Sequence, residues 1–100
     1  MSGASGVLTA ALAAIRSRQP KARDLGLVLV GVTGSVARRE EGPQSDIDVV
    51  YEVAGRPTLF DIGEISMDMQ EELGRAIDMI DLKTVKPRLR VAMERDLVRA

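Results

Sequence analysis

The stretch Gly34–Asp48, GSVARREEGPQSDID, decides how this chain is read. It begins where the apolar run Leu25 to Val32 gives out, and it ends in two aspartates one residue apart, before a second apolar run, Val49 to Val53. The order that follows is strand, glycine-containing turn, charged loop, strand. A Gly-Ser turn after a buried strand can bring backbone N–H groups close to a phosphate: Gly34 permits the approach, and the Ser35 hydroxyl adds a hydrogen bond. Asp46 and Asp48, within a strand, project from one face with Cα atoms roughly 6–7 Å apart. Two such carboxylates repel each other and lose solvation, and a divalent cation removes both problems. Other uses stay open at this level. Gly-Ser is a common turn, Asp46 can cap the loop that it ends, and Asp48 can pair with Arg38 or Arg75.

The flanking patterns extend the reading in both directions. Leu25 to Val32 is apolar on both faces, as a central buried strand requires. Asp46 to Val53 alternates, with Ile47, Val49, Tyr51 and Val53 on one face and Asp46, Asp48, Val50 and Glu52 on the other. That parity makes Tyr51 a core residue. Upstream, Ser5 is placed to cap a first helix with Leu8, Leu12 and Ile15 on its inner face, and Pro20 is expected to stop it. Downstream, Gly55-Arg56-Pro57 breaks the strand, and Thr58 with Asp61 resembles a capping box. A second helix buries Ile62, Ile65, Met69 and Leu73 and ends on a Gly74 cap. Ala76 to Leu82 reads as a third strand. Pro87 opens a last helix whose inner face is Leu89, Met93 and Leu97. The expected class is α+β, a small mixed sheet with helices packed on one face, as a single domain over residues 1–100.

Composition narrows the chemistry. Apolar residues make up 45% of the 100 residues, a globular balance. Neither Cys nor His occurs, so thiolate and imidazole sites are excluded, and any metal must be a hard ion held by oxygen, such as Mg²⁺. No run of about 18 apolar residues exists to span a membrane, and the start lacks the pattern of a signal peptide; a cytoplasmic protein is expected. The net charge of −1 hides a segregation. Residues 1–39 carry six basic side chains against one acid, residues 40–82 carry twelve acids against Arg56 and Arg75, and residues 83–100 carry six bases against two acids. An acidic centre suits a cation and basic flanks suit phosphate, although solvated helix faces account for many of these charges.

Taken together, Gly34-Ser35, ten intervening residues and Asp46-Ile47-Asp48 resemble the motif of the minimal nucleotidyltransferases in the DNA polymerase β superfamily. GSVAR resembles the family's glycine-serine-x-alanine-arginine run, SDIDVVYEV its serine-aspartate-x-aspartate strand, and LGRAIDMI the segment leading to a third aspartate. The likeness runs from about Leu25 to Ile80. One position departs: where the family usually has glycine after this run, the chain has Arg39, implying a different loop path or an added cation near the triphosphate.

The resemblance implies nucleotidyl transfer from ATP. Gly34 and Ser35 would hold the β,γ-phosphates with help from Arg38. Asp46, Asp48 and Asp78 would be the catalytic carboxylates and the ligands of Mg²⁺, with two ions expected. Asp78 is preferred to Asp81 because the family places its third aspartate directly after the segment Gly74-Arg75-Ala76-Ile77. The two lie three residues apart in one strand and point to opposite faces, and Asp81 sits at the end of the apolar run. With Tyr51 and Phe60 the only aromatics, no stacking platform for single-stranded nucleic acid exists, and direct nucleic-acid binding is not expected. Chains of this size resemble the antitoxin half of modules whose toxin is a HEPN ribonuclease; the implied acceptor is then a tyrosine of that toxin, in an oligomeric complex. Two alternatives stand beside this: neutralisation of a partner by occlusion without catalysis, and nucleotidyl transfer to a small molecule.

Overall fold

The computed structural model describes residues 3–100, with side chains from Gly6 onward. The elements run α1 (Gly3–Asp24), β1 (Leu27–Thr33), α2 (Gly34–Ala37), β2 (Ile47–Val53), α3 (Leu59–Leu73), β3 (Ile77–Asp81), α4 (Pro87–Asp96) and β4 (Val98–Arg99). The four strands form one mixed sheet in the order β3-β2-β1-β4. β1 is antiparallel to β2 and to β4, while β2 and β3 are parallel. A parallel pair cannot be joined by a tight turn, so α3 supplies the crossover.

Apolar alternation places the core as the sequence implies. Ile47, Val49 and Tyr51 of β2 join Leu27, Leu29 and Val32 of β1 against Leu8 and Ile15 of α1 and Ile65 and Met69 of α3. α3 has the full Thr58–Asp61 capping box at its start and ends at Gly74 in the left-handed conformation, φ 66°. The two long helices share one face. On the other face the short α4 seals a smaller cluster of Val30, Val50 and Met93, so the apolar run of β1 is buried from both sides. Among the described residues no helix is long and apolar enough to cross a membrane.

Several expectations are corrected. Pro20 does not stop α1, which continues to Asp24. A proline inside a helix costs about 3 kcal/mol, chiefly a lost hydrogen bond and a ring clash, and here tertiary contacts on either side of it offset that cost. Ala22 is fully buried. Gln19 gives its amide N–H to the Leu29 carbonyl and takes the Leu29 N–H on its Oε1, both at 2.8 Å, standing in for a missing strand partner. Arg18 pairs with Glu72, and Lys21 with Glu64 and Asp68, tying the same turns to α3. The proposed cap Ser5 falls within α1, and its side chain lies outside the described residues. Leu89 is not part of the inner face of α4: it is 59% exposed, because Met93 alone meets the sheet deeply and Leu89 overhangs a cleft beside β3. Leu97 half-buries against the smaller cluster from just beyond the helix end.

β4 has no counterpart in the sequence reading. Its two residues pair with Gly31 and Val32, and a Cβ at Gly31 would lie 2.1 Å from the Val98 carbonyl oxygen. Glycine is required there for the C-terminal strand to close on β1.

Candidate active site

The site is built where β1 ends and β2 begins. Thr33 occupies the N-cap position of α2, yet its hydroxyl does not cap that turn. It donates instead to the Met93 carbonyl of α4 at 2.8 Å, in a buried position. The N–H groups that open a helical turn have no partner within it, so those at the start of α2 are left without the Thr33 side chain. Gly34 has φ +76°, and a Cβ there would stand 2.2 Å from Asp48 Oδ2. Only a residue without a side chain lets the turn lie directly against that carboxylate.

Asp48 pairs in register with Thr33 of β1 on one side and Asp78 of β3 on the other. It is half-buried. Burial pushes its pKa up, the neighbouring charges of Asp78 and Asp46 push it further, and Arg38 opposes them only weakly. The two basic residues that could have neutralised it are engaged elsewhere. Arg75 donates to the carbonyls of Gly42 and Ser45 at 2.9 and 3.0 Å and braces the loop before β2. Arg38 pairs with Glu40 at 2.9 Å and with Asp96 at 2.6 Å. Nor does Asp46 cap its loop: the Ser45 hydroxyl accepts from the Gly42 N–H at 2.8 Å. Strand β2 starts at Ile47, one residue later than expected, leaving Asp46 exposed just outside it.

Gly34, Arg38, Asp48 and Asp78 line one cleft of about 430 Å³, whose far wall is apolar and includes Ile80 and Leu89. That volume is in the range of small-molecule sites, roughly 300–1,000 Å³. Ser35 and Asp46 are not among its walls. A larger hollow, over Leu59, Phe60 and Met67 of α3, has no convergent carboxylates from different elements and lies apart from this chemistry. Asp81 is directed away from the cleft; it accepts from the Lys83 N–H at 2.9 Å and closes the turn after β3.

The donor set suits a hard cation: a half-buried carboxylate that has no ion-pair partner among the described residues, and a second one opposite it in register. Among the described residues, no three acidic side chains are gathered closely enough to form a ready-made metal cluster. Asp48 and Asp78 are the juxtaposed pair, and the charge of Asp46 acts on Asp48 from the loop. Arg39, the departure from the family pattern, has φ 60°, in the left-handed region that glycine favours. Thr33 and Asp96 are participants that no local signal marks, since their partners are 60 and 58 residues away in sequence.

Comparison with known proteins identifies the family and the fold. Residues 22–96 match the family model described as Polymerase beta, Nucleotidyltransferase. A Methanocaldococcus jannaschii protein named as a candidate protein adenylyltransferase is 29% identical over 65 residues, 65% of this chain and 70% of that protein. A solved structure of a candidate minimal nucleotidyltransferase superposes with a TM-score of 0.66 at 31% identity, covering 87% of this chain and 93% of the other. At lower identity the fold recurs in a toxin–antitoxin structure with AMP-PNP (TM-score 0.67, 20% identity, 85% and 70% covered). It recurs again in a tri-AMPylated Shewanella oneidensis HEPN toxin in complex with an MNT antitoxin (TM-score 0.54, 18% identity, 85% and 70% covered). The β1–turn–β2 frame around Gly34 and Asp48 and the family match over residues 22–96 lead to one conclusion: the chain belongs to the polymerase β nucleotidyltransferases, among their minimal members, and is a nucleotidyltransferase.

Proposed function

We propose that this chain transfers an adenylyl group from ATP to a hydroxyl of a HEPN-type toxin, a tyrosine by preference, and so acts as an antitoxin in the cytoplasm within an oligomeric complex. The observation that carries the reading is the contact of the Gly34 turn with Asp48, itself opposite Asp78; a left-handed glycine turn beside a carboxylate pair supports reading the turn as the phosphate holder and the pair as the metal ligands. The adenylyl donor and the toxin acceptor are supported by the names of the similar proteins.

In this reading Gly34 and Ser35 hold the β,γ-phosphates through backbone N–H groups and the Ser35 hydroxyl, and Arg38 adds a guanidinium at the cleft wall. Asp48 and Asp78, with Asp46 from the loop, would hold Mg²⁺, which polarises phosphoryl oxygens and offsets their charge. Asp78 is exposed at the cleft and takes the proton of the incoming hydroxyl, the role that histidine fills in many other enzymes. The acceptor oxygen then bonds to the α-phosphorus, the bond from that phosphorus to the bridging oxygen of the β-phosphate breaks, and pyrophosphate leaves with the electron pair.

Incubation of the purified chain with α-labelled ATP and a HEPN toxin, with Mg²⁺ or EDTA, tests the proposal. Label on the toxin only with Mg²⁺ is expected, and loss of label in Asp48→Asn. Complex formation that silences the toxin without labelling it would favour neutralisation by occlusion. Label only on an added small molecule would overturn the protein acceptor.

A further inference from the structure

The reading of the cleft as an ATP site leaves Arg38 in need of an explanation. Its side chain is 42% exposed at the C-cap of the one-turn helix α2, and a free guanidinium there would sample many rotamers. It is held from two sides: its Nε donates to Glu40, and its Nη1 donates to Asp96 Oδ2 at 2.6 Å. The two partners differ. The Glu40 side chain is 67% exposed, while that of Asp96 is 10% exposed. Asp96 also lines the cleft beside Gly34 and Asp48.

Asp96 is itself fixed by buried structure. The Thr33 hydroxyl grips the Met93 carbonyl one turn earlier in α4. Directly after the helix, β4 pairs with Gly31 and Val32. The residues that lead into the Gly34 turn therefore also clamp both sides of Asp96. The Arg38 guanidinium, paired with it, holds the Asp96 carboxyl below the usual carboxylate range.

We infer that Asp96 is the positioning residue for Arg38, orienting the guanidinium at the nucleotide's phosphates. Among the described residues Arg38 Nη2 has no acceptor, so this nitrogen stays available for an anion while Nε and Nη1 are committed. A charge-assisted, oriented guanidinium loses less rotamer freedom when it binds phosphate than a mobile one does. α4 and β4 thus take part in nucleotide binding from outside the glycine-serine and aspartate motifs. The inference rests on the ATP reading of this cleft.

The test is the dissociation constant of Mg²⁺·AMP-PNP, measured by calorimetry so that catalysis is not needed, with melting temperatures in parallel. Arg38→Ala and Asp96→Asn should each weaken binding about tenfold, as expected for one hydrogen bond between charged groups. The double variant should bind no more weakly than Arg38→Ala alone, since the two act as one unit. Glu40→Gln should change affinity less than about twofold, because exposed pairs contribute little. Asp96→Glu should recover part of the loss. Arg38→Lys, which leaves Asp96 untouched, should lose as much as Asp96→Asn. Multiplying losses in the double variant, tighter binding by Asp96→Asn, or wild-type binding by it would each overturn the positioning role. Absence of AMP-PNP binding in the unmodified protein would instead overturn the ATP reading, and the inference with it.

Discussion

Gly34 and Gly74 form a matched pair that isolates the central contact of the site. Both are left-handed, at φ 76° and 66°. A Cβ at Gly74 meets nothing within 4 Å, whereas a Cβ at Gly34 meets Asp48 Oδ2 at 2.2 Å. Gly74→Ala should therefore cost only the left-handed strain of an L-residue, about 1–2 kcal/mol, less a few tenths returned by the stiffer unfolded chain. Gly34→Ala carries that same strain plus the displacement of a half-buried carboxylate. The atom in the way is the tip of a side chain that borders an open cleft, so its shift adds about 1 kcal/mol, the low end of overpacking costs. For a chain of this size each kcal/mol moves Tm by about 4–8 °C, so the two variants should melt about 4–8 °C apart. Denaturant titrations should give the same ordering. The contact can be removed separately: in an Asp48→Ala background, Gly34→Ala should cost no more than Gly74→Ala. Transfer activity should survive in Gly74→Ala and be lost in Gly34→Ala. Equal destabilisation by the two alanines in the unmodified background would refute the contact, and full activity in Gly34→Ala would refute its place in the chemistry.

Three further outcomes follow from the same geometry. Asp78→Ala should lower the transfer rate by about 10²–10⁴ with modest change in ATP binding, while Asp81→Ala, which loses only the turn at Lys83, should leave the rate near that of the parent; the opposite order in a labelled-ATP assay would reassign the third carboxylate. Asp48 has a pKa raised above 3.8 by burial and by Asp78 and Asp46, so its ionised form opposes folding. The folded chain holds that proton longer than the unfolded one, and stability falls as pH rises from 3.8 through the raised value. Asp48→Asn, melted in EDTA, should thus be more stable than the parent at pH 7, with the gain vanishing at acid pH; a gain that grows on acidification would contradict the sign. Arg39, at φ 60°, already carries the left-handed strain of an L-residue, so replacement by Gly should stabilise the chain by about 1 kcal/mol and replacement by the β-branched Val should destabilise it further, both read as melting temperature; a less stable Gly variant would contradict the strain.

What the amino-acid sequence determined by itself was local. Period-two alternation from Ile47 to Val53 settled which side chains meet the helices, Tyr51 included. The Thr58–Asp61 box and Gly74 bounded α3, because caps are made by residues three or four apart. The spacing of Gly34-Ser35 from Asp46 and Asp48 carried the family. Where the sequence signal misled, the deciding partners were distant. Pro20 reads as a stop, yet α1 continues through it, since Gln19, Ala22 and Lys21 are anchored by β1 and α3. Leu89 fits an inner helix stripe, but only the tilt of α4 on the sheet decides which of its residues reach the core. Only the tertiary structure brought Asp48 onto Gly34 and opposite Asp78, gave Arg38 and Arg75 to other partners, and closed β4 on Gly31. Such contacts join residues tens of positions apart, and their energies depend on burial and on competing partners, which arise only when the chain has folded.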